Sequence, residues 1–337
     1  MVVRTYISTM LRRLQRTLTK SGKRAGAEVK VHHLTEEPTR AWETINNSQT
    51  VIQVTQMPHD TQISSKELRI VCVSDTHVLV EDVPNFIPPG DILIHAGDFG
   101  HGGAPVQVKR FNDFLGTLPH SVKIVIAGNH DQMFDERIVR HKGFVCQLIF
   151  LTETELDTQL QNYGVQSCRD ILTECVYLED SSIKICGVNF YGSPWQPKHG
   201  RVPGAFRYER GQQGLDIWNK IPNETDILIT HGPPLGHGDL VDYSRDNHCG
   251  CVELLSTVQQ RVKPEYHVFG HIHEGYGVTT DRKTTYINAS SVDRWYSDLN
   301  KPIVFDFPIP KGHSKEELAH VKPCHLIRNK VRRFPAD

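Results

Sequence analysis

No stretch of this 337-residue chain stays apolar for the eighteen or so residues that a bilayer-crossing helix needs. We therefore expect no helical membrane span. Gly-x-Ser-x-Gly and Gly-x-x-x-x-Gly-Lys are also missing, which removes the serine-hydrolase and P-loop readings. There is no Cys-x-x-Cys pair: the eight cysteines stand scattered at 72, 146, 168, 175, 186, 249, 251 and 324, and Cys249-Gly250-Cys251 is too tightly spaced for a zinc knuckle. The N-terminus has no apolar core of a secretory signal. We expect free, structural thiols in a reducing compartment and a cytoplasmic location, although the basic N-terminus also fits mitochondrial targeting. No internal repeat or low-complexity tract interrupts the chain.

Apolar residues make up 38% of the chain and mean hydropathy is -0.40, the balance of a globular protein with chain enough for a full core. The net charge of -1 hides an asymmetry: residues 1 to 30 carry eight Lys and Arg against one Glu, and 311 to 337 carry seven against three acids. The body between is acidic, which argues against a nucleic-acid partner. Within the first segment, Ile7, Leu11, Leu14 and Leu18 share one helical face with arginines between them. A basic extension, a transit peptide and a membrane-surface helix all fit that pattern.

What the chain does hold is a series of short, β-branched runs that end in polar residues. Leu68 to Val73 runs into Ser74-Asp75-Thr76-His77; Asp91 to Ala96 runs into Gly97-Asp98; Lys123 to Ala127 runs into Gly128-Asn129-His130-Asp131. Asp226 to Thr230 ends in His231, and Glu265 to Phe269 in Gly270-His271-Ile272-His273. Such runs read as strands buried on both faces, and open α/β sheets place ligands at the C-terminal edge of their strands. A helix is expected from Pro105 to about Leu118, another around Glu209 to Lys220, and a third over 249 to 262 with Val252, Leu255 and Val258 inward. Residues 31 to 66 read as an arm or edge strand leading into the domain.

Asp-x-His spacing puts a carboxylate and an imidazole on one side of an extended backbone, which suits two ligands to one metal, and the same alternation puts His271 and His273 on one side while Ile272 points into the core. Five strand ends thus supply Asp75, His77, Asp98, Asn129, His231, His271 and His273. With Asp98 shared, seven donors are enough for two ions, and a nitrogen and oxygen set without thiolate favours Mn, Fe or Zn.

In this order, Asp75-x-His77, Gly97-Asp98, Gly128-Asn129-His130-Asp131, His231 and Gly270-His271-x-His273 resemble the motif set of the calcineurin-like metallophosphoesterases. Val71 to His77, Gly192 to Pro197, Ile229 to Gly236 and His267 to Gly277 are similar to the metallophosphoesterase domain-containing subfamily of animals. The similarity covers roughly 40 to 310. It departs at Asp131, where that subfamily has Glu, and over 198 to 209. The resemblance implies an α/β fold, a two-sheet β-sandwich flanked by helices in four layers, with the domain at 67 to 310 between a basic N-terminal extension (1 to 30) and a basic tail (311 to 337). It implies two divalent metal ions, one on Asp75, His77, Asp98 and His273 and one on Asp98, Asn129, His231 and His271. It further implies hydrolysis of a phosphodiester, a cyclic or small nucleotide, by a metal-bridging hydroxide, with His130 serving the leaving oxygen and Asp131 setting its tautomer. Rival readings are a nucleotide-binding or scaffolding protein with a slow metal site, and a phosphoprotein phosphatase. Trp195, Arg207, Arg210 and His237 are candidates for the substrate rim.

Overall fold

A computed structural model of the chain describes residues 28–83, 85–198, 204–241 and 247–327. The expected helix over 6 to 20 and most of the basic extension lie outside the described residues.

Two sheets form the centre. The first has six strands in the order Ile303–Pro308, Glu67–Val73, Ile92–His95, Val122–Val125, Val176–Glu179 and Cys324–Ile327. The second has seven: Ile52–Gln53, Gly277–Thr280, Thr285–Asn288, Tyr266–Phe269, Ile227–Thr230, Val188–Ser193 and Ser181–Ile185. In both, the central strands are parallel, so their C-terminal ends gather at one edge. A bridge between Ser74 and Ser290 joins the sheets at that edge.

The alternation along each strand builds four layers. Leu68, Ile70 and Cys72 face inward with Ile94, Ile124, Ile229, Val268 and Ile287, closing the core between the sheets. Val71 and Val73 point outward onto Val108, Phe111 and Leu115 of the helix Pro105–Thr117. On the far side, Tyr191, Leu228 and Tyr286 pack under Trp218 of the helix Gln212–Trp218 and Leu254 and Val258 of the segment beginning at Val252. That last helix changes to a π turn at Thr257–Val262 and carries Val252, Leu255 and Val258 buried, as their spacing predicts. The expected sandwich flanked by helices is therefore the observed one.

The edges hold what the sequence left open. The arm contributes the helix Pro38–Ile45 and then Ile52–Gln53, antiparallel to Gly277–Thr280. Between 145 and 180, where the pattern is loose, lie the helices Glu153–Asn162 and Cys168–Ile171 and the strand Val176–Glu179. The segment from 311, expected as a basic tail, departs from that reading. Its Cys324–Ile327 pairs in parallel with Val176–Glu179 and completes the first sheet, because the edge of that strand offers unpaired backbone groups. Among the described residues no helix is long and apolar enough to cross a membrane.

Candidate metal centre

The seven donors arrive from both sheets at the shared edge. Asp75, His77 and His273 place one ligand atom each within 4.8 Å of one another, and Asp98, His231 and His271 form a second such trio. Asp98 lies between them, with Oδ2 3.3 Å from His231 Nε2 and 4.0 Å from His77 Nε2. Asn129 joins the second trio through Oδ1, 2.9 Å from His231 Nε2.

The backbone is shaped to allow this approach. Asp75, His77, Asp98 and His271 all have φ between 46° and 69°, a left-handed region that non-glycine residues seldom enter. Such strain persists only where surrounding bonds hold it. Glycine preceding a candidate ligand serves a different need at two positions. A Cβ on Gly128 would run into Asp98 Oδ1 and His231, and one on Gly270 into Asp75 Oδ2 and Ser74 Oγ.

Three imidazoles are oriented by main-chain carbonyls. Nδ1 of His77 donates to Gly100 O (3.1 Å), that of His231 to Ala96 O (2.9 Å) and that of His273 to Asp293 O (3.1 Å). A carbonyl can only accept, so each ring turns Nε2 toward the centre. Asp75 is held by the His271 amide (3.0 and 3.1 Å) and by the hydroxyl of Ser290 (3.0 Å).

The charges follow from burial and proximity. Although burial opposes ionisation of Asp75, His273 and His231 keep it well below the usual carboxylate range, and His231, His130 and His77 do the same for Asp98 against the same burial cost. Burial disfavours charge on His231 and His273 too, yet Asp98 raises the first and Asp75 the second to about 9. His77 and His271 are pushed down to about 3, mainly by burial.

These residues also fit divalent cations by their own chemistry. His77 Nε2 is buried without a hydrogen-bond partner, and each trio offers one carboxylate and two imidazoles, the hard and borderline donors that Mn, Fe and Zn accept.

His130 and Asp131 separate in space. The His130 amide donates to Asp98 Oδ1 (2.7 Å) and its ring lies edge-on to His77 at 4.9 Å, at the mouth of the centre. Asp131 does not reach that ring, contrary to the role expected for it. Fully buried, its carboxylate accepts the amides of Asp98 (2.8 Å), Gly100 (3.1 Å) and Gly128 (2.8 Å), so it joins its own turn to the loop after Ile92–His95 and satisfies buried N–H groups of both. Three of the rim candidates are likewise structural. His237 is buried and stacks on Tyr286 at 3.7 Å, Arg210 donates to the carbonyls of Cys249 and Gly250, and the Trp195 indole donates to Asp180. Arg207 belongs to the loop that packs on Asn129, where the Ala205 amide donates to the Asn129 carbonyl (2.9 Å). Sequence reasoning passed over His101 and Tyr296, whose rings adjoin His77 at 4.8 and 5.0 Å. His101 stands three residues after Asp98, a hint that was there to read; Tyr296 is far from every motif.

A two-sheet sandwich that brings two carboxylate and imidazole trios to one edge defines a protein built to bind divalent metal. A family model described as calcineurin-like phosphoesterase matches residues 68–275, and the chain belongs to that family of metal-dependent phosphoester hydrolases. It is 44% identical over 290 residues to metallophosphoesterase domain-containing protein 1 of Homo sapiens, covering 84% of this chain and 86% of that one. It is 41% identical over 312 residues to a UPF0046 protein of Caenorhabditis elegans, covering 91% of this chain and 76% of that one.

Proposed function

We propose that this chain is a dinuclear phosphodiesterase acting on cyclic or small nucleotides. The observation that carries the reading is the position of Asp98 Oδ2 between the imidazoles of two separate trios, where one carboxylate can serve two ions. Asp75, His77, Asp98 and His273 would hold the first ion, and Asp98, Asn129, His231 and His271 the second. Manganese suits this mixed oxygen and nitrogen set, with iron or zinc as alternatives. Bound there, the two ions would supply Lewis-acid activation of water and of the phosphoryl oxygens.

The remaining chemistry belongs to side chains. His130, at the mouth and outside both trios, is placed to donate a proton from its ring to the departing alkoxide oxygen. Its amide bond to Asp98 Oδ1 ties its position to the shared carboxylate. Asp131 accepts the Gly128 amide within its own turn and the Asp98 and Gly100 amides of the neighbouring loop, which pins the turn against the loop that carries that carboxylate. The carbonyls of Gly100, Ala96 and Asp293 keep Nε2 of His77, His231 and His273 facing the ions.

The test is turnover of bis-p-nitrophenyl phosphate and of a cyclic-nucleotide panel by manganese-loaded protein. His130→Ala should retain both ions and lose about 10²- to 10⁴-fold in kcat. No turnover with any divalent metal would sink the reading, and loss of an ion in His130→Ala would move His130 into the ligand set.

A further inference from the structure

Two rings at the mouth of the centre are left over once its donors are assigned. His101 is exposed and stacks on His77, 4.8 Å between centroids and 23° between planes. Tyr296, 42% exposed, stands against His77, His101 and His273 at 5.0, 5.5 and 5.6 Å. Among the described residues, neither the Tyr296 hydroxyl nor a ring nitrogen of His101 has a hydrogen-bond partner.

Tyr296 is held in place by the metal centre itself. The Asp293 carbonyl that accepts from His273 Nδ1 also accepts from the Tyr296 amide (3.1 Å), and the Asp293 carboxylate accepts from the amide and hydroxyl of Ser297 (2.7 and 2.8 Å) and from the Asp298 amide (3.2 Å). Tyr296 takes φ of 58°, a conformation that bulky residues rarely adopt. A ring kept this way beside three imidazoles, with its hydroxyl unspent, has a place to act.

His101 forms a third trio with His77 and His130, their ligand nitrogens within 4.8 Å of one another. That trio competes with Asp75 and His273 for His77, whose Nδ1 is committed to Gly100 and which therefore has only Nε2 to offer. An ion on Nε2 gains a carboxylate from the first trio and only imidazoles, one of them exposed, from the third. His101 is thus left facing the mouth with a free nitrogen.

We propose that His101 and Tyr296 form a substrate-binding wall, donating hydrogen bonds from the imidazole N–H and the phenol O–H to nonbridging oxygens of the phosphoryl group. The ligand class is a phosphate ester or the phosphate released from one. The proposal rests on the phosphoesterase reading for where the phosphoryl group sits, but not on turnover.

The experiment measures inorganic phosphate binding to manganese-loaded protein by calorimetry, with metal content read by elemental analysis, in wild type, Tyr296→Phe and His101→Gln. Each variant should hold both ions and bind phosphate about tenfold or more weakly, the effect of removing a hydrogen bond to a charged group. Phosphate affinity equal to wild type in both variants would overturn the proposal, and so would loss of an ion from either. Wild-type protein that binds phosphate with its ions yet hydrolyses no ester would defeat the hydrolase reading and leave the wall standing.

Discussion

Asp98 Oδ2 lies 3.3 Å from His231 Nε2, so a buried carboxylate from one sheet meets a buried imidazole from the other. Asp98→Ala should therefore empty both trios, whereas Asp75→Ala should release the ion of its own trio and keep the second. Elemental analysis after dialysis separates the two. A full equivalent retained by Asp98→Ala would show that the carboxylate is not shared.

Gly128→Ala changes no donor. Its new methyl would occupy the space now taken by Asp98 Oδ1 and the His231 ring. We expect metal binding to fall more than tenfold, in the range seen when a group beside a metal ligand is disturbed. Titration with manganese checks this, and affinity unchanged from wild type would mean that the turn can move aside.

Asp131→Ala leaves three buried amides without an acceptor, at about 1 to 3 kcal/mol each if none finds water. Chemical unfolding of the metal-free protein should show a loss of about 3 to 5 kcal/mol. A role limited to the His130 ring predicts the opposite pattern, full stability with altered turnover.

Glu81 supplies a pH dependence of stability. Both its carboxyl oxygens are buried, and burial raises it from 4.5 to about 7 against the opposing pull of nearby backbone amides and Arg110. Its folded value exceeds its unfolded one, so its contribution to stability is complete below pH 4.5 and is lost as pH rises through about 7. Glu81→Gln cannot ionise. It should be more stable than wild type at pH 8 by roughly 2 kcal/mol, with the difference shrinking through pH 5 and gone below about pH 4. Equal stability at pH 8 would show that water reaches the carboxylate.

Much of the centre was legible because each donor closes an apolar strand, and strand ends of parallel sheets meet at one edge. Glycines at 97, 128 and 270 marked where chains approach closely. Asp131 misled because neighbours in sequence point different ways in a tight turn: the carboxylate next to His130 went to the main chain of 98, 100 and 128. Tyr296 carried no signal, since its place beside His77 comes from a turn folded over more than two hundred residues away. Cys324–Ile327 is a short polar-apolar run whose strand identity depends wholly on the partner waiting at the sheet edge.

The antiparallel pairing of Glu67–Val73 with Ile303–Pro308 bears on how the chain reaches this state. Emerging from a ribosome, the first strand precedes its partner by some 230 residues, more than ten seconds of synthesis at 5 to 20 residues per second. Through that interval one side of Glu67–Val73 has no ladder, so the nascent chain carries an open β edge that chaperones can cover. Such distant contacts must close before the sheet is complete, a topology for which slow folding of the released chain is expected.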